Sequence, residues 1–178
     1  LIRPGTKVLN LVSGVFGDGY AGWIERYGGE VVELRVPYNE AIDPDAVRQA
    51  LDAHPNISVL AAVHCETPSG TMNPIGEICP IARERGVITI VDTVSGLGAE
   101  AFSPEAWGID IAIAGPQKCL SGVPGLSLVA VSDAGWAAME SVQQPLRASY
   151  LSLLDWKATW VEQQRFPYTP SVADIYAL

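Results

Sequence analysis

Two residues of opposite charge stand at the ends of apolar runs and could together bind a carbonyl cofactor. Lys118, one of three lysines, lies within Gly115–Cys119, which follows the apolar run Ile109–Ala114. Asp92 lies 26 residues upstream and closes the run Val87–Val91. A lysine amine can form an imine with a carbonyl compound, and a carboxylate can keep a pyridine nitrogen protonated. The pair predicts pyridoxal chemistry, with Lys118 as the catalytic residue and Asp92 as a cofactor-binding residue.

The surroundings of the two residues bear on this prediction. Lys118 lies among glycine, proline and apolar residues, which predicts a desolvated amine with a lowered pKa, suited to imine formation. The alternative for Lys118 is a surface ion pair of small value. The alternative for Asp92 is an aspartate that caps the turn after a strand.

Short apolar runs alternate along the chain with amphipathic helical stretches. The runs predict strands at Val8–Val12, Val31–Val36, Val59–His64, Val87–Val91, Ile109–Ala114 and Leu126–Val131. The stretches between them predict helices at Tyr20–Tyr27, Pro44–His54, Ile75–Arg85 and Asp133–Ser141. Asp43 is the expected N-cap of the second helix, and Gly86 the expected left-handed residue after the third. From Gln143 onward we predict loops and short helices.

This alternation predicts one α/β domain, a three-layer α/β/α sandwich with helices on both faces of the sheet. Most strands should be parallel. The last two runs are joined by only about a dozen residues, too few for a helical crossover, so we expect them to pair antiparallel in a mixed sheet.

Ligands of such sheets bind beyond the carboxyl ends of the strands. Polar or glycine-rich stretches follow four of the predicted strands there, at Ser13–Gly19, Glu66–Asn73, Asp92–Gly96 and Gly115–Cys119. In the first stretch we expect a loop that presents Phe16 for stacking on a flat ring, the alternative being a core phenylalanine. In the second we expect Thr67 to bond the 3-hydroxyl of the ring, the alternative being an ordinary proline-rich loop.

Other kinds of site are less well supported. The run Gly17-Asp-Gly-Tyr-Ala-Gly22 matches a dinucleotide fingerprint, but four residues separate it from the preceding strand, where a tight turn is expected. An NAD-binding domain and a non-catalytic interaction domain therefore stay as alternatives. There is no G-x-S-x-G elbow for serine catalysis. His64, at the end of a strand, is interpreted as a structural histidine.

The composition argues against several classes of binding partner. The net charge is −9 and no basic cluster occurs, which disfavours nucleic acid and anionic membranes. The three cysteines and two histidines lack a zinc spacing, so no metal is expected. The odd cysteine count favours a reducing cytoplasm, and no apolar stretch approaches the 18 residues of a membrane span.

Beyond these single features, four stretches together resemble the class V aminotransferases of fold type I. They are His64–Ile75, Val91–Ser95, Gly115–Lys118 and Pro124–Leu126. Further stretches are similar to the branch of that family that acts on pyridoxamine and pyruvate. They are Val36–Pro44, Cys119, Arg147–Ser152, Asp155-Trp156 and Phe166–Val172.

The resemblance implies roles for individual residues. Lys118 would form the imine and move a proton, Asp92 would bind the ring nitrogen, Phe16 would stack on the ring, and Thr67 would bond its oxygen side. Gln117 and Thr169 match positions that approach the cofactor phosphate, Thr169 from the neighbouring subunit. The cofactor would be pyridoxal 5′-phosphate, or unphosphorylated pyridoxal or pyridoxamine would serve as a substrate, which leaves the phosphate roles vacant.

The resemblance also implies a homodimer or homotetramer with small amino and keto acid substrates. Residues 1–178 would be a partial large domain, without the family's N-terminal segment and without the small domain that carries a carboxylate-binding arginine. The implied reaction is amino transfer from pyridoxamine to pyruvate, as in vitamin B6 degradation. Alternatives within the fold are a phosphate-using alanine or serine–glyoxylate aminotransferase and a lyase or desulfurase. No cysteine lies in an evident catalytic loop, and we interpret Cys119 as a packing residue.

Overall fold

The chain is built around a six-stranded sheet with helices on both faces. A computed structural model describes residues 1–145, 147 and 149–178. The strands are β1 (Lys7–Val12), β2 (Glu30–Arg35), β3 (Ile57–Val63), β4 (Cys65–Glu66), β5 (Thr71–Met72), β6 (Ile88–Asp92), β7 (Ile111–Ala114) and β8 (Leu128–Val131). The helices are α1 (Val15–Arg26), α2 (Pro44–Ala53), α3 (Ile75–Arg83), α4 (Pro104–Trp107), α5 (Asp133–Glu140), α6 (Leu153–Trp156) and α7 (Val172–Ala177), and a π-helical turn covers Lys157–Val161.

The strands of the main sheet lie in the order β2-β1-β3-β6-β7-β8. All neighbours are parallel except β7 and β8, which pair antiparallel. The predicted mixed, mostly parallel sheet is therefore confirmed. The reversal at β8 follows from the short connection after β7, which has no helix to carry the chain back.

The side chains of successive strand residues point to opposite faces and build two separate cores. One face carries Leu9, Leu60, Ala62, Val91 and Ala112, which pack with α2 and α3. On the other face, one cluster packs Val8, Val59 and Ala61 against Ile24 of α1, and another packs Ile111 against Met139 of α5. The three-layer arrangement that the sequence predicts is thus present.

The predicted helix ends are partly confirmed, and the main difference is at the start of α1. The N-cap at Asp43 is confirmed, because its side chain accepts a hydrogen bond from the Asp45 amide. Gly86 has φ +67°, the left-handed conformation expected after α3. The predicted start of α1 at Tyr20 is wrong, since α1 begins at Val15. The hairpin of β4 and β5 and the helix α4 were not predicted.

Within the described residues, no helix is long and apolar enough to cross a membrane. Of the stretches that carry the family resemblance, Arg147–Ser152 is described except for Ala148, which lies outside the described residues, as does Leu146.

A buried carboxylate joins β6, β7 and α5 at the amino-terminal side of the sheet. Asp110, just before β7, accepts hydrogen bonds from the Thr89 amide (3.0 Å) and from the Ser132 hydroxyl (2.7 Å), and its own amide donates to Thr89 Oγ1 (2.8 Å). We expect Asp110→Ala to lower the free energy of unfolding by about 2–4 kcal/mol, because the Thr89 amide is left buried and unpaired.

Urea denaturation of the full-length, cofactor-free protein measures this loss. The exposed residue Glu162 supplies the control, since Glu162→Ala should change the free energy of unfolding by less than about 0.5 kcal/mol. An Asp110→Ala variant as stable as the control would show that the buried carboxylate does not hold these elements together.

Candidate active site

The predicted site lies where the parallel strands end together. In the sheet register, Asp92 is the last residue of β6 and stands between Val63 of β3 and Ile113 of β7. Thr67 follows Val63 by four residues, and Lys118 follows Ile113 by five. The acid, the lysine and the threonine therefore leave three adjacent strands at the same edge, the edge where ligands bind in open α/β sheets.

The Asp92 carboxylate is half-buried and held by two donors. Its Oδ1 accepts a hydrogen bond from the Val94 amide (2.8 Å), and its Oδ2 accepts one from the Tyr20 hydroxyl (2.9 Å). The Val94 bond is the local turn cap that we considered as the alternative for Asp92. The Tyr20 bond comes from α1, across 72 positions of sequence, and was not predicted. The two donors fix the plane of the carboxylate and leave acceptor capacity on both oxygens.

The structure gives Tyr20 a protonated hydroxyl at any physiological pH. Burial raises the pKa of Tyr20 most, and the negative charge and hydrogen bond of Asp92 and the charge of Glu66 raise it further. Tyr20 is therefore a fixed donor toward Asp92. No motif in the sequence singled it out, but its position four residues after Phe16 puts the two on one face of a helix.

The stretch Ser13–Gly19, predicted as a loop, is mostly the first turn of α1. The expected start at Tyr20 is wrong because the cap comes from a distant residue. Gly14, at the N-cap position, has no side chain to cap the helix, and instead the Glu66 carboxylate accepts from the amides of Phe16 (3.0 Å) and Gly17 (2.8 Å). A carboxylate at a helix N-terminus satisfies free amides and favours the helix dipole.

The Glu66 carboxylate fits only because small residues surround it. Glu66 has no exposed surface. A side chain at Gly14 would collide with the Glu66 carboxylate, and one at Gly17 would meet the Leu11 carbonyl oxygen at 2.7 Å. The two glycines therefore provide close approach of helix and strand, a role that the sequence analysis did not assign to them.

Phe16 lies at the predicted edge, on α1 rather than on a loop. It exposes 44% of its surface, so the alternative of a core phenylalanine is excluded for the chain as described. Its amide is fixed by Glu66, whose neighbour in sequence is Thr67. The position of Phe16 suits stacking on a ring bound near Asp92, and the stacking itself stays a prediction.

A short line of hydrogen bonds connects the threonine loop to the lysine loop. Thr67 Oγ1 lies 2.6 Å from Ser95 Oγ, and the Cys119 thiol donates to the Ser95 carbonyl oxygen (3.5 Å). Lys118 is exposed beside Cys119, so the desolvation expected from its sequence setting is wrong for the chain as described. The segment after β7 lies at the sheet edge, and its glycines and prolines shape turns rather than a buried pocket.

Lys118 has no acidic partner among the residues that the structure describes. Within the described part of the chain, none of the ion pairs involves its amine. The alternative interpretation of a surface ion pair is therefore not supported. The amine is free to react with an incoming carbonyl group.

The two residues assigned to a phosphate by resemblance are both exposed. Gln117 folds its side chain over Gly115, next to Lys118, and so belongs to the same edge. Thr169 lies before α7, and among the described residues no hydrogen bond ties its side chain to Asp92 or Lys118. Its assignment to a neighbouring subunit's site stays a prediction.

His64 is a structural residue on the geometry. It is buried, its Nε2 lies 2.7 Å from a Glu100 carboxylate oxygen, and its ring contacts Phe102 and Trp107. Across residues 1–145, 147 and 149–178, no group of three His, Cys, Asp or Glu side chains could hold a metal ion. Cys79 is buried on α3, and burial raises the pKa of its thiol to about 12, which makes it unreactive.

The glycine run Gly17–Gly22 is helical and does not form a phosphate-binding turn. Gly19 and Gly22 face open space on α1, so the dinucleotide interpretation is not supported. A cavity of about 810 Å³ lies away from the strand ends, lined partly by Leu1–Pro4, Tyr27 and Met139. Leu1–Pro4 precede β1, so this cavity lies near the amino ends of the strands, whereas Asp92 lies at their carboxyl ends.

The residues at the carboxyl edge fit a pyridoxal-type ring. Asp92 offers an oriented, half-buried carboxylate to a ring nitrogen, and Lys118 offers a free amine to a carbonyl carbon. Phe16 offers an uncovered aromatic face, and Thr67 a hydroxyl next to that of Ser95. These are the groups that such a ring needs at its nitrogen, its carbonyl, its face and its oxygen side.

Comparison with known proteins points to the same chemistry. The family profile described as aminotransferase class-V matches residues 21–178. The chain is 47% identical, over its whole length, to the pyridoxamine–pyruvate transaminase of Mesorhizobium japonicum, of which it covers 45%. It matches the crystal structure of the pyridoxamine–pyruvate aminotransferase of Mesorhizobium loti with a TM-score of 0.94 and 46% identity, over 99% of this chain and 45% of that one.

A second solved structure belongs to a different activity. The alanine–glyoxylate aminotransferase of Nostoc sp. matches with a TM-score of 0.90 and 31% identity, over 99% of this chain and 46% of that one. The chain spans a little under half the length of these relatives.

Proposed function

Because the chain belongs to the class V aminotransferases, we propose that the protein it comes from transfers the amino group of pyridoxamine to pyruvate, yielding pyridoxal and L-alanine. The reaction class is supported above all by the oriented Asp92 carboxylate. It ends β6, and the neighbouring strand β7 leads into the loop that bears the Lys118 amine. The choice of substrates is supported by the 47% identity to the pyridoxamine–pyruvate transaminase of Mesorhizobium japonicum.

The bound vitamin ring supplies a carbon that carries the amino group and an electron-poor ring that accepts charge from the substrate. The residues of this chain bind and orient the ring and transfer protons. Asp92 keeps the ring nitrogen protonated, and Phe16 covers one ring face. Lys118 supplies the amine that binds the carbonyl carbon and holds or moves the proton at the substrate carbon. Thr67 bonds the ring oxygen.

Several further features belong to this proposal. Residues 1–178 form part of a large cofactor-binding domain, and the arginine that binds the substrate carboxylate lies in a small domain outside these residues. The protein works as a homodimer or homotetramer in the cytoplasm, in vitamin B6 degradation. Support for the cytoplasm comes from the three cysteines, all free thiols in the structure.

A second candidate is an aminotransferase that uses pyridoxal 5′-phosphate with alanine or serine and glyoxylate. The match to the Nostoc alanine–glyoxylate aminotransferase supports it, as does Gln117 beside Lys118, since an amide side chain there could bond a phosphate. The two candidates differ in the form of the vitamin that binds tightly.

Titration of the full-length protein with pyridoxal and, separately, with its 5′-phosphate tests the proposal. We expect an absorbance band at roughly 410–430 nm from covalent attachment to a lysine amine, at lower concentrations of pyridoxal than of the phosphate. Assays with pyridoxamine plus pyruvate should then produce pyridoxal and alanine.

The alternative outcomes are distinct. Tight retention of the phosphate through dialysis, with turnover of glyoxylate but not pyruvate, would favour the second candidate. No band with either vitamer would contradict both aminotransferases.

A further inference from the structure

We propose that Tyr20 is a positioning residue for the ring-nitrogen carboxylate, acting by hydrogen bonding to Asp92. This inference rests on the proposed function and adds a residue to its site. The Tyr20 hydroxyl donates to Asp92 Oδ2 at 2.9 Å, whereas the other oxygen, Oδ1, accepts from the Val94 amide. Two donors on different oxygens prevent rotation of the carboxylate, which a single bond would not.

The helix that carries Tyr20 is itself fixed at the site. Tyr20 lies one turn after Phe16 on α1, so one helix provides both the aromatic face and the donor to Asp92. The first turn of α1 is anchored by the buried Glu66, which directly precedes Thr67 in the sequence. The placement of Tyr20 is thus set by folding, before any ligand binds.

The charges around Tyr20 keep it a donor. The titratable groups that face its hydroxyl are Asp92 on β6 and Glu66 on β4, and both disfavour the phenolate. A neutral donor stabilises the ionised form of the carboxylate that accepts from it. The two hydrogen bonds therefore hold the Asp92 carboxylate in one orientation, in which it can bind a ring nitrogen.

The test compares Tyr20→Phe with Tyr27→Phe in the full-length protein. Tyr27, which is exposed, lies at the other end of α1 beside the distant cavity, and its hydroxyl serves as the control. Two properties are measured, the dissociation constant of pyridoxamine and the titration of bound ring-¹⁵N-pyridoxal by NMR.

We expect Tyr20→Phe to weaken pyridoxamine binding about tenfold and to lower the midpoint of ring-nitrogen deprotonation by about one pH unit. Tyr27→Phe should leave both within error of the wild type. In an Asp92→Ala background, Tyr20→Phe should add less than about a twofold change, because the partner of the hydroxyl is gone. This second background distinguishes a positioning role from a general loss of stability.

Two results would overturn the inference alone. One is a Tyr20→Phe protein with wild-type affinity and wild-type ring titration. The other is an equal loss of affinity in the Asp92→Ala background, which would assign Tyr20 a structural role only. A wild-type protein that binds neither vitamer would instead overturn the proposed function, and the inference with it.

Discussion

We expect the Lys118→Ala variant of the full-length protein to lose amino transfer by about 10⁴-fold or more, and to lose the absorbance band that pyridoxal produces. The amine is exposed, forms no ion pair with any described residue, and follows β7, the strand next to the one that ends in Asp92. Neither of the other two lysines of this chain lies at that edge. Lys7 is at the start of β1 and pairs with Glu30, and Lys157 pairs with Glu140.

Lys157→Ala is the matched control, because it removes a lysine that binds Glu140 and lies over the Trp136 ring. It should retain activity within about twofold. Added methylamine should restore part of the activity of Lys118→Ala, since a small amine can take over proton transfer at the vacated position. A Lys118→Ala protein with wild-type turnover would exclude the lysine from the chemistry.

The second large effect is expected at Glu66, where the Glu66→Gln variant should lose about 2–3 kcal/mol of unfolding free energy. The carboxylate accepts from two amides at once, and the glutamine side chain offers only one acceptor oxygen. Its amide group would face the N–H of Phe16 or Gly17 without a bond. We also expect weaker binding of pyridoxamine, by about tenfold, because the first turn of α1 then frays under Phe16 and Tyr20.

Hydrogen exchange separates this mechanism from a general loss of stability. In Glu66→Gln the Phe16 and Gly17 amides should exchange faster than amides in the middle of α1. The control is Asp43→Asn, which changes a capping carboxylate to an amide at the start of α2 but keeps a capping oxygen. Unchanged exchange at Phe16 and Gly17 in Glu66→Gln would contradict the proposed anchor.

Much of the fold follows from local sequence patterns. The apolar runs predicted as strands correspond to β1, β3, β6 and β7, which are largely buried. Their alternation with amphipathic helices was enough to predict the three-layer arrangement and the mostly parallel strand direction. The short join before β8 was enough to predict the antiparallel pair. These features depend on residues close together in the chain.

The elements that were missed depend on distant contacts or are very short. The first turn of α1 is stabilised by Glu66, 50 positions from Phe16, so no local signal marks its start. The strands β4 and β5 have two residues each, too few to show a period. For α4 the signal was present, since Ser103-Pro104 caps its start and Gly108, with φ +68°, follows its end.

At the site, residue types were predicted better than their surroundings. Asp92, Thr67, Gln117 and Lys118 were expected at one edge because they follow the carboxyl ends of parallel strands, and β3, β6 and β7 are indeed parallel. The exposure of Lys118 could not be read from its apolar neighbours, because burial depends on what covers a loop. Tyr20 was missed because its partner Asp92 lies 72 positions away in the sequence, so no local pattern connects the two residues.

The close packing of Gly14, Gly17 and Glu66 also has a consequence for how this sequence can change. A larger residue at position 14 would fit only if the side chain at position 66 became shorter, and a shorter side chain there would leave the amides of Phe16 and Gly17 unpaired. Single substitutions at these positions should therefore all be harmful, and pairs should not compensate fully. In a library of variants, we expect the effects of substitutions at positions 14, 17 and 66 on stability to be non-additive, although position 66 is far from the other two in the sequence.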